Sequence, residues 1–118
     1  MDAINEAIEF LANKAFIKDP LIREESLDMA AQELVNHLGP QGLTQAQNSD
    51  YMMDKRIKRY TSEQGAISEN VSFGWDNAKD VVLQMIIDDG VKSRGHRNNM
   101  FGSHFRKLGV ASGTHKSF

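Results

Sequence analysis

The sequence predicts an α+β domain in which helices cover a small antiparallel sheet of about three strands. Three observations carry this reading. Apolar residues recur at helical spacing in several segments, they alternate at period two around residue 70, and glycine or proline breaks separate the segments. At 118 residues the chain is long enough for one domain with its own core, taken here as residues 1–118, and too short for two.

The first helix spans 3–15, with Ile4, Ala7, Ile8, Leu11 and Ala15 as its stripe and Asp2 placed to cap it. Phe16 to Glu25, which contains Asp19-Pro20, is a connection. The second helix carries Leu27, Ala30, Ala31, Leu34 and Leu38; Ser26 can cap its start and Gly39-Pro40 stops it. Residues 41–50 are polar and aperiodic, hence a loop. Met53, Ile57 and Tyr60 then mark a short helix opened by Ser49 or Asp50. Its Lys55, Arg56, Lys58 and Arg59 form a cationic patch, read as a solvated helix face.

Ile67, Glu69, Val71 and Phe73 alternate with Ser68, Asn70 and Ser72, the pattern of a half-buried strand. Glu69 falls on the apolar face, where a carboxylate costs several kcal/mol unless something compensates it. Either the register or an edge position relieves that cost, or the carboxylate is held in a cleft. The third helix shows Ala78, Val81, Val82, Met85 and Ile86 on one stripe, an Asn77/Asp80 pair at its start and Gly90 as its stop. Asp88 and Asp89 in its last turn oppose the helix dipole and call for a cation: Arg94, Arg97 or a metal.

The segment Gly95-His96-Arg97-Asn98-Asn99-Met100-Phe101 concentrates an imidazole, nearby cations (Lys92, Arg94, Arg97) and two amides, and reads as a short helix or turn. A histidine oriented by a carboxylate suits acid-base chemistry. Ser68, Ser72, Ser93 and Ser103 lie near these motifs, but none sits in a nucleophile-elbow pattern. Arg106 to Ser112 is a last strand with Leu108 and Val110 inward, and Gly113 to Phe118 a tail.

The bulk numbers exclude several classes. A formal charge of −2 and a pI near 6.1 argue against nucleic acid as partner. The absence of cysteine removes disulfides, thiolate nucleophiles and cysteine-bound metals. The longest apolar run, Val81 to Ile87, is broken by Gln84 and far too short for a transmembrane segment. No signal-peptide pattern opens the chain.

Several motifs together resemble the CAP superfamily, also called the SCP domain, in a cysteine-free form similar to bacterial and protist versions. They are Glu69-Asn70-Val71-Ser72-Phe73-Gly74, Ile86-Ile87-Asp88-Asp89-Gly90-Val91, Arg94-Gly95-His96-Arg97-Asn98-Asn99-Met100-Phe101 and Phe105-Arg106-Lys107-Leu108-Gly109-Val110-Ala111. Upstream, Glu6 to Leu11, Leu27 to Ala31 and Gly39 to Thr44 match the family's opening helices and the turn after them. The resemblance implies an α-β-α sandwich with antiparallel strands between helix layers and a cleft holding two histidines and two acids, which binds zinc or another divalent ion in some members. Carried over by residue, Glu69 resembles the first acid, His96 the second histidine and Asp88 the second acid, with Asp89 as alternate. Asn70 and Arg97 complete the implied ligand cleft, and His96, Glu69 and Asp88 the implied metal set.

The first family histidine is missing. The turn Gly42-Leu43-Thr44 runs into Gln45-Ala46-Gln47-Asn48-Ser49-Asp50, and His37, His104 and His115 all lie elsewhere. The family also continues past the equivalent of His115 into one more strand, which leads us to expect a truncation or strand completion by another chain or a dimer mate. The implied function is a binding module without robust turnover that takes a small ligand, ion, lipid or protein; the alternative is a metal-assisted or histidine-based hydrolase. No cofactor is required beyond the divalent metal the resemblance admits. The implied location is extracellular or in the cell envelope.

Overall fold

The computed structural model describes residues 2–14 and 19–118. In chain order its elements are α1 (Ala3–Lys14), β1 (Ile22–Arg23), α2 (Glu25–Leu38), a 3₁₀ turn (Ser49–Tyr51), α3 (Met53–Tyr60), α4 (Ala78–Ile87), α5 (Gly95–Phe101) and β2 (Lys107–Leu108). The class is helix-rich α+β, as expected. The chain divides into two compact units, Met1–Pro20 with Glu69–His104 and Leu21–Ser68 with Phe105–Phe118.

In the first unit, Asp2 caps α1 as predicted, its Oδ1 accepting from the Asn5 N–H at 2.8 Å. The inward face of α1 is rotated from the expected stripe. Ala3 and Ala7 are buried, whereas Ile4 and Ile8 are 57% and 60% exposed. Ala3, Glu6, Ala7 and Phe10 therefore form the working face, and Ala15 lies outside the described residues. The reason is specific pairing: Glu6 bonds two arginines, and Phe10 meets Phe101 edge-on with centroids 5.2 Å apart.

The Asn77/Asp80 pair caps α4. Asn77 Oδ1 accepts from the Asp80 N–H at 2.9 Å, and Asn77 Nδ2 donates to Asp80 Oδ2 at 2.7 Å. The helix ends earlier than predicted, because Asp88 already turns left-handed (φ 53°, ψ 43°), two residues before Gly90 takes its own positive φ of 80°. Residues 67–73 form no strand, and Ile67 and Val71 are 42% and 36% exposed. The polar members of this segment anchor it instead: the Asn70 amide bonds to α5, and Ser72 Oγ accepts from Gln84 Nε2 at 3.1 Å.

In the second unit, Ala30, Leu34 and Leu38 of α2 are buried, in line with the predicted stripe. Ser26 lies inside α2 and does not cap it; Glu24 is the N-cap, without a side-chain bond. The sheet among the described residues has two strands, and they are parallel, Ile22 opposite Lys107 and Arg23 opposite Leu108. Only a hairpin-length connection forces antiparallel pairing, and these strands lie far apart in sequence. Leu108 and Val110, expected inward, are 42% and 49% exposed. This segment meets α2 through its main chain: a Cβ on Gly109 would lie 2.2 Å from the Leu27 carbonyl carbon and 2.5 Å from the Asp28 nitrogen. Asp28 then joins the segments, its Oδ1 accepting from Arg23 Nε at 2.7 Å and from the Val110 N–H at 2.8 Å.

Gly39 follows α2 with ordinary helical dihedrals, so its value lies in space rather than in φ. A Cβ there would stand 2.3 Å from the Thr114 carbonyl oxygen, and its own carbonyl accepts from the Lys116 N–H at 2.8 Å. The predicted cationic face of α3 is only partly solvated. Arg56 is 1% exposed and donates from Nε to Tyr51 O at 2.7 Å and from Nη1 to Ala30 O at 2.9 Å. A guanidinium has enough donors to satisfy such carbonyls, which is why this cation goes inside.

Gly109→Ala should lower stability by about 1–3 kcal/mol, because the added methyl meets main chain that cannot swing away. The midpoint of urea unfolding reads this directly, and an unchanged midpoint would mean that the close approach to α2 is not required.

Candidate functional site

The candidate site grows from the junction of α4 and α5 in the first unit. Asp88 donates its N–H to Gln84 O at 2.8 Å, closing α4, and its left-handed backbone turns the chain back. Its carboxylate then meets the start of α5. Oδ2 accepts from the main-chain N–H of His96 at 2.9 Å and of Arg97 at 3.3 Å, and Oδ1 lies 2.8 Å from His96 Nδ1. The residue preceding α5, Arg94, has no side-chain cap to offer, so Asp88 supplies that cap from a distance. Asp88 is only 3% exposed, whereas the His96 side chain is 35% exposed.

This bonding fixes the imidazole. As a carboxylate Asp88 can only accept, so His96 Nδ1 donates to it, and in the neutral imidazole Nε2 then presents the lone pair. Nε2 makes no hydrogen bond among the described residues. The main chain of His96 is held as well, its carbonyl accepting from Asn70 Nδ2 at 3.0 Å. Asn99 completes the brace by donating to Asn70 Oδ1 at 2.9 Å and to the Glu69 carbonyl at 3.4 Å. Asn98 Nδ2 bonds Ser93 O at 3.0 Å, so both amides tie down adjacent loops.

Arg97 is 3% exposed and works inward. Its Nε donates to Ile86 O at 2.6 Å and its Nη2 to Ile87 O at 2.9 Å, carbonyls that the end of α4 leaves without helical partners. Its Nη1 bonds Glu6 Oε1 at 2.7 Å, and the guanidinium lies 5.7 Å from the Phe10 ring centre. Arg94, also left-handed (φ 55°), donates to Asp88 O at 2.7 Å and to Glu6 at 2.9 Å. Glu6 thus stands between two arginines, whose hydrogen bonds, Arg94 first and Arg97 second, hold its carboxyl down at about 2.

Of the residues singled out in the sequence, Asp88, His96, Arg97 and Asn70 come together here. Glu69 joins through its main-chain carbonyl, and the carboxylate partner of His96 is Asp88. Asp89 is exposed. Among the described residues no three His, Asp or Glu side chains are grouped to hold a metal ion. His37 and His115 belong to the second unit, where His37 stacks on Tyr51 and His115 Nε2 contacts Leu43 O at 2.7 Å. Trp75 is 52% exposed and lies outside the core. Glu6 is the residue that sequence reasoning missed. Its signal was weak: Glu6 lies opposite the Ile4, Ile8 and Leu11 stripe, and only its spacing, i+3 from Ala3 and i−4 from Phe10, links it to the face that is used.

The family model for CAP, the cysteine-rich secretory protein family, matches residues 2–118. The chain belongs to the CAP family. No curated protein and no solved structure matches it. Within this CAP chain, no described helix is long and apolar enough to cross a membrane.

The lowered Glu6 value sets a pH dependence. A carboxyl at about 2 in the fold against an ordinary 4.5 contributes stability that is fully present above 4.5 and lost as pH falls through about 2. Melting curves taken across that window should therefore drop more steeply for the wild type than for Glu6→Gln, and parallel curves would show that the pairing adds nothing.

Proposed function

We propose that this CAP domain is a binding module that offers the polar face around His96, with Asn70 and Glu69 beside it, to a small ligand, an ion, a lipid or a protein, without robust turnover. The observation that carries the reading is the Asp88–His96 pair. A buried carboxylate orients a partly exposed imidazole and leaves Nε2 unbonded, which is how a recognition group is preorganised. The α-β-α sandwich and an extracellular or cell-envelope location belong to the same reading and rest on family membership.

The donor set argues against a resident zinc. Such a site needs at least three protein ligands, and both Asp88 oxygens already accept N–H bonds from α5. Asp88 acts as the carboxylate behind the histidine rather than as a ligand beside it. One observation favours the hydrolase alternative: with Nδ1–H bonded to Asp88, Nε2 is in the form a general base requires. A nucleophile is not indicated by sequence pattern, since none of the nearby serines sits in a nucleophile-elbow context.

Two assays on wild type and His96→Ala separate these readings. A binding module should show a thermal shift with zinc, a fatty acid or a sterol that His96→Ala abolishes, while hydrolysis of chromogenic esters and peptides stays equal in both proteins. Hydrolysis that falls by about 10²–10⁴-fold in His96→Ala would establish the enzyme instead. If His96→Ala retains every thermal shift, the His96 face is not the binding surface.

A further inference from the structure

A second face of α2 carries chemistry that the His96 site does not use. Met29, Gln32, Glu33, Asn36 and His37 recur at i, i+3, i+4, i+7 and i+8, a stripe distinct from the buried Ala30, Leu34 and Leu38. With Tyr51 and Tyr60 they line a groove of about 400 Å³. That volume falls within the ~300–1,000 Å³ usual for small-molecule sites.

We propose that this groove binds a neutral saccharide. Charge favours a neutral ligand. Glu33, the one charged residue of the lining, is neutralised by Arg59, with Nε 3.0 and 3.2 Å from the two carboxylate oxygens and Nη2 2.9 Å from Oε1, so the groove offers an ion no net attraction. His37 and Tyr51 stack on each other at 3.7 Å and 2°, so no ring can insert between them, and the pair forms a single rigid aromatic platform in the groove lining. The apolar C–H face of a pyranose fits such a platform. Gln41 fixes it further, donating from Nε2 to His37 O at 2.8 Å, with the same nitrogen 3.2 Å from Nδ1.

The polar lining suits hydroxyl groups. Gln32 Nε2 donates to Asn36 Oδ1 at 2.9 Å, which holds the two amides as a unit while leaving Gln32 Oε1 to accept and Asn36 Nδ2 to donate. One acceptor and one donor on neighbouring turns match adjacent sugar hydroxyls. Met29, 47% exposed, supplies an apolar rim. The partners are held in place before any ligand arrives, which lowers the ordering cost of binding.

The test is an ¹⁵N-edited NMR titration of the whole chain with chitotriose, cellotriose and maltotriose, and with AMP as a planar-base control. At least one trisaccharide should give saturable shifts confined to residues 29–37, Tyr51 and Tyr60, with AMP giving none there. Asn36→Ala, an exposed position, should weaken binding by about tenfold at unchanged melting temperature. Tyr60→Phe keeps the ring and should weaken it less, while His96→Ala should leave it intact, which separates this proposal from the site on α5. No saturable shift with any trisaccharide, equal binding by Asn36→Ala, or AMP occupying the same residues would each overturn it.

Discussion

A single buried carboxylate governs the first unit. Asp88 ends α4 with its backbone and starts α5 with its side chain, so one residue sets both helix boundaries. An anion at the C-terminal end of a helix is badly placed, since the dipole there is already negative, and burying it adds several kcal/mol of lost hydration. Three N–H donors from α5 offset that cost, and the N-terminal end of α5 is the favourable pole for the same charge. Arg97 and Arg94 remove the remaining difficulty by taking up the free carbonyls at the end of α4 and of Asp88 itself.

The position of α1 follows from this. Once both guanidinium groups are committed to the α4 terminus, their remaining nitrogens, Arg94 Nε and Arg97 Nη1, point at a shared acceptor, and Glu6 provides it. That requirement explains why α1 turns Ala3, Glu6 and Ala7 inward and leaves Ile4 and Ile8 exposed, against the simple hydrophobic reading. Apolar burial is nondirectional and gives up little when a helix rotates by a fraction of a turn. A two-arginine bridge is directional and does not tolerate it.

The same distinction explains what the sequence could reveal. The helix at 78–87, its Asn77/Asp80 start and the buried stripe of α2 were legible because they depend on local spacing. The gathering of Asp88, His96, Arg97 and Asn70 was legible from the family motifs, whereas the arginines expected to answer the acid at 88–89 pair with Glu6 instead, and the Asp88 carboxylate is met by His96 and the N–H groups of α5. The failures share one cause, namely contacts from far along the chain. Arg56 is buried because carbonyls of Ala30 and Tyr51 receive it, Gly39 is small because Thr114 passes over it, and residues 67–73 bond through Asn70 instead of pairing as a strand. Period two in apolar residues says which side chains alternate, and it does not say that a second strand is present to pair with.

The Asp88–His96 bond serves structure and recognition with the same atoms. Removing the imidazole leaves Asp88 with its two main-chain N–H donors, so the helix junction keeps most of its support while the exposed Nε2 disappears. Removing the carboxylate does both things at once: α5 loses its cap and the imidazole loses its orientation. Changes at His96 therefore report on the site, whereas changes at Asp88 report mainly on the fold. The asymmetry follows from burial, 3% exposure for the Asp88 side chain against 35% for His96, which leaves the histidine as the member of the pair able to meet a ligand.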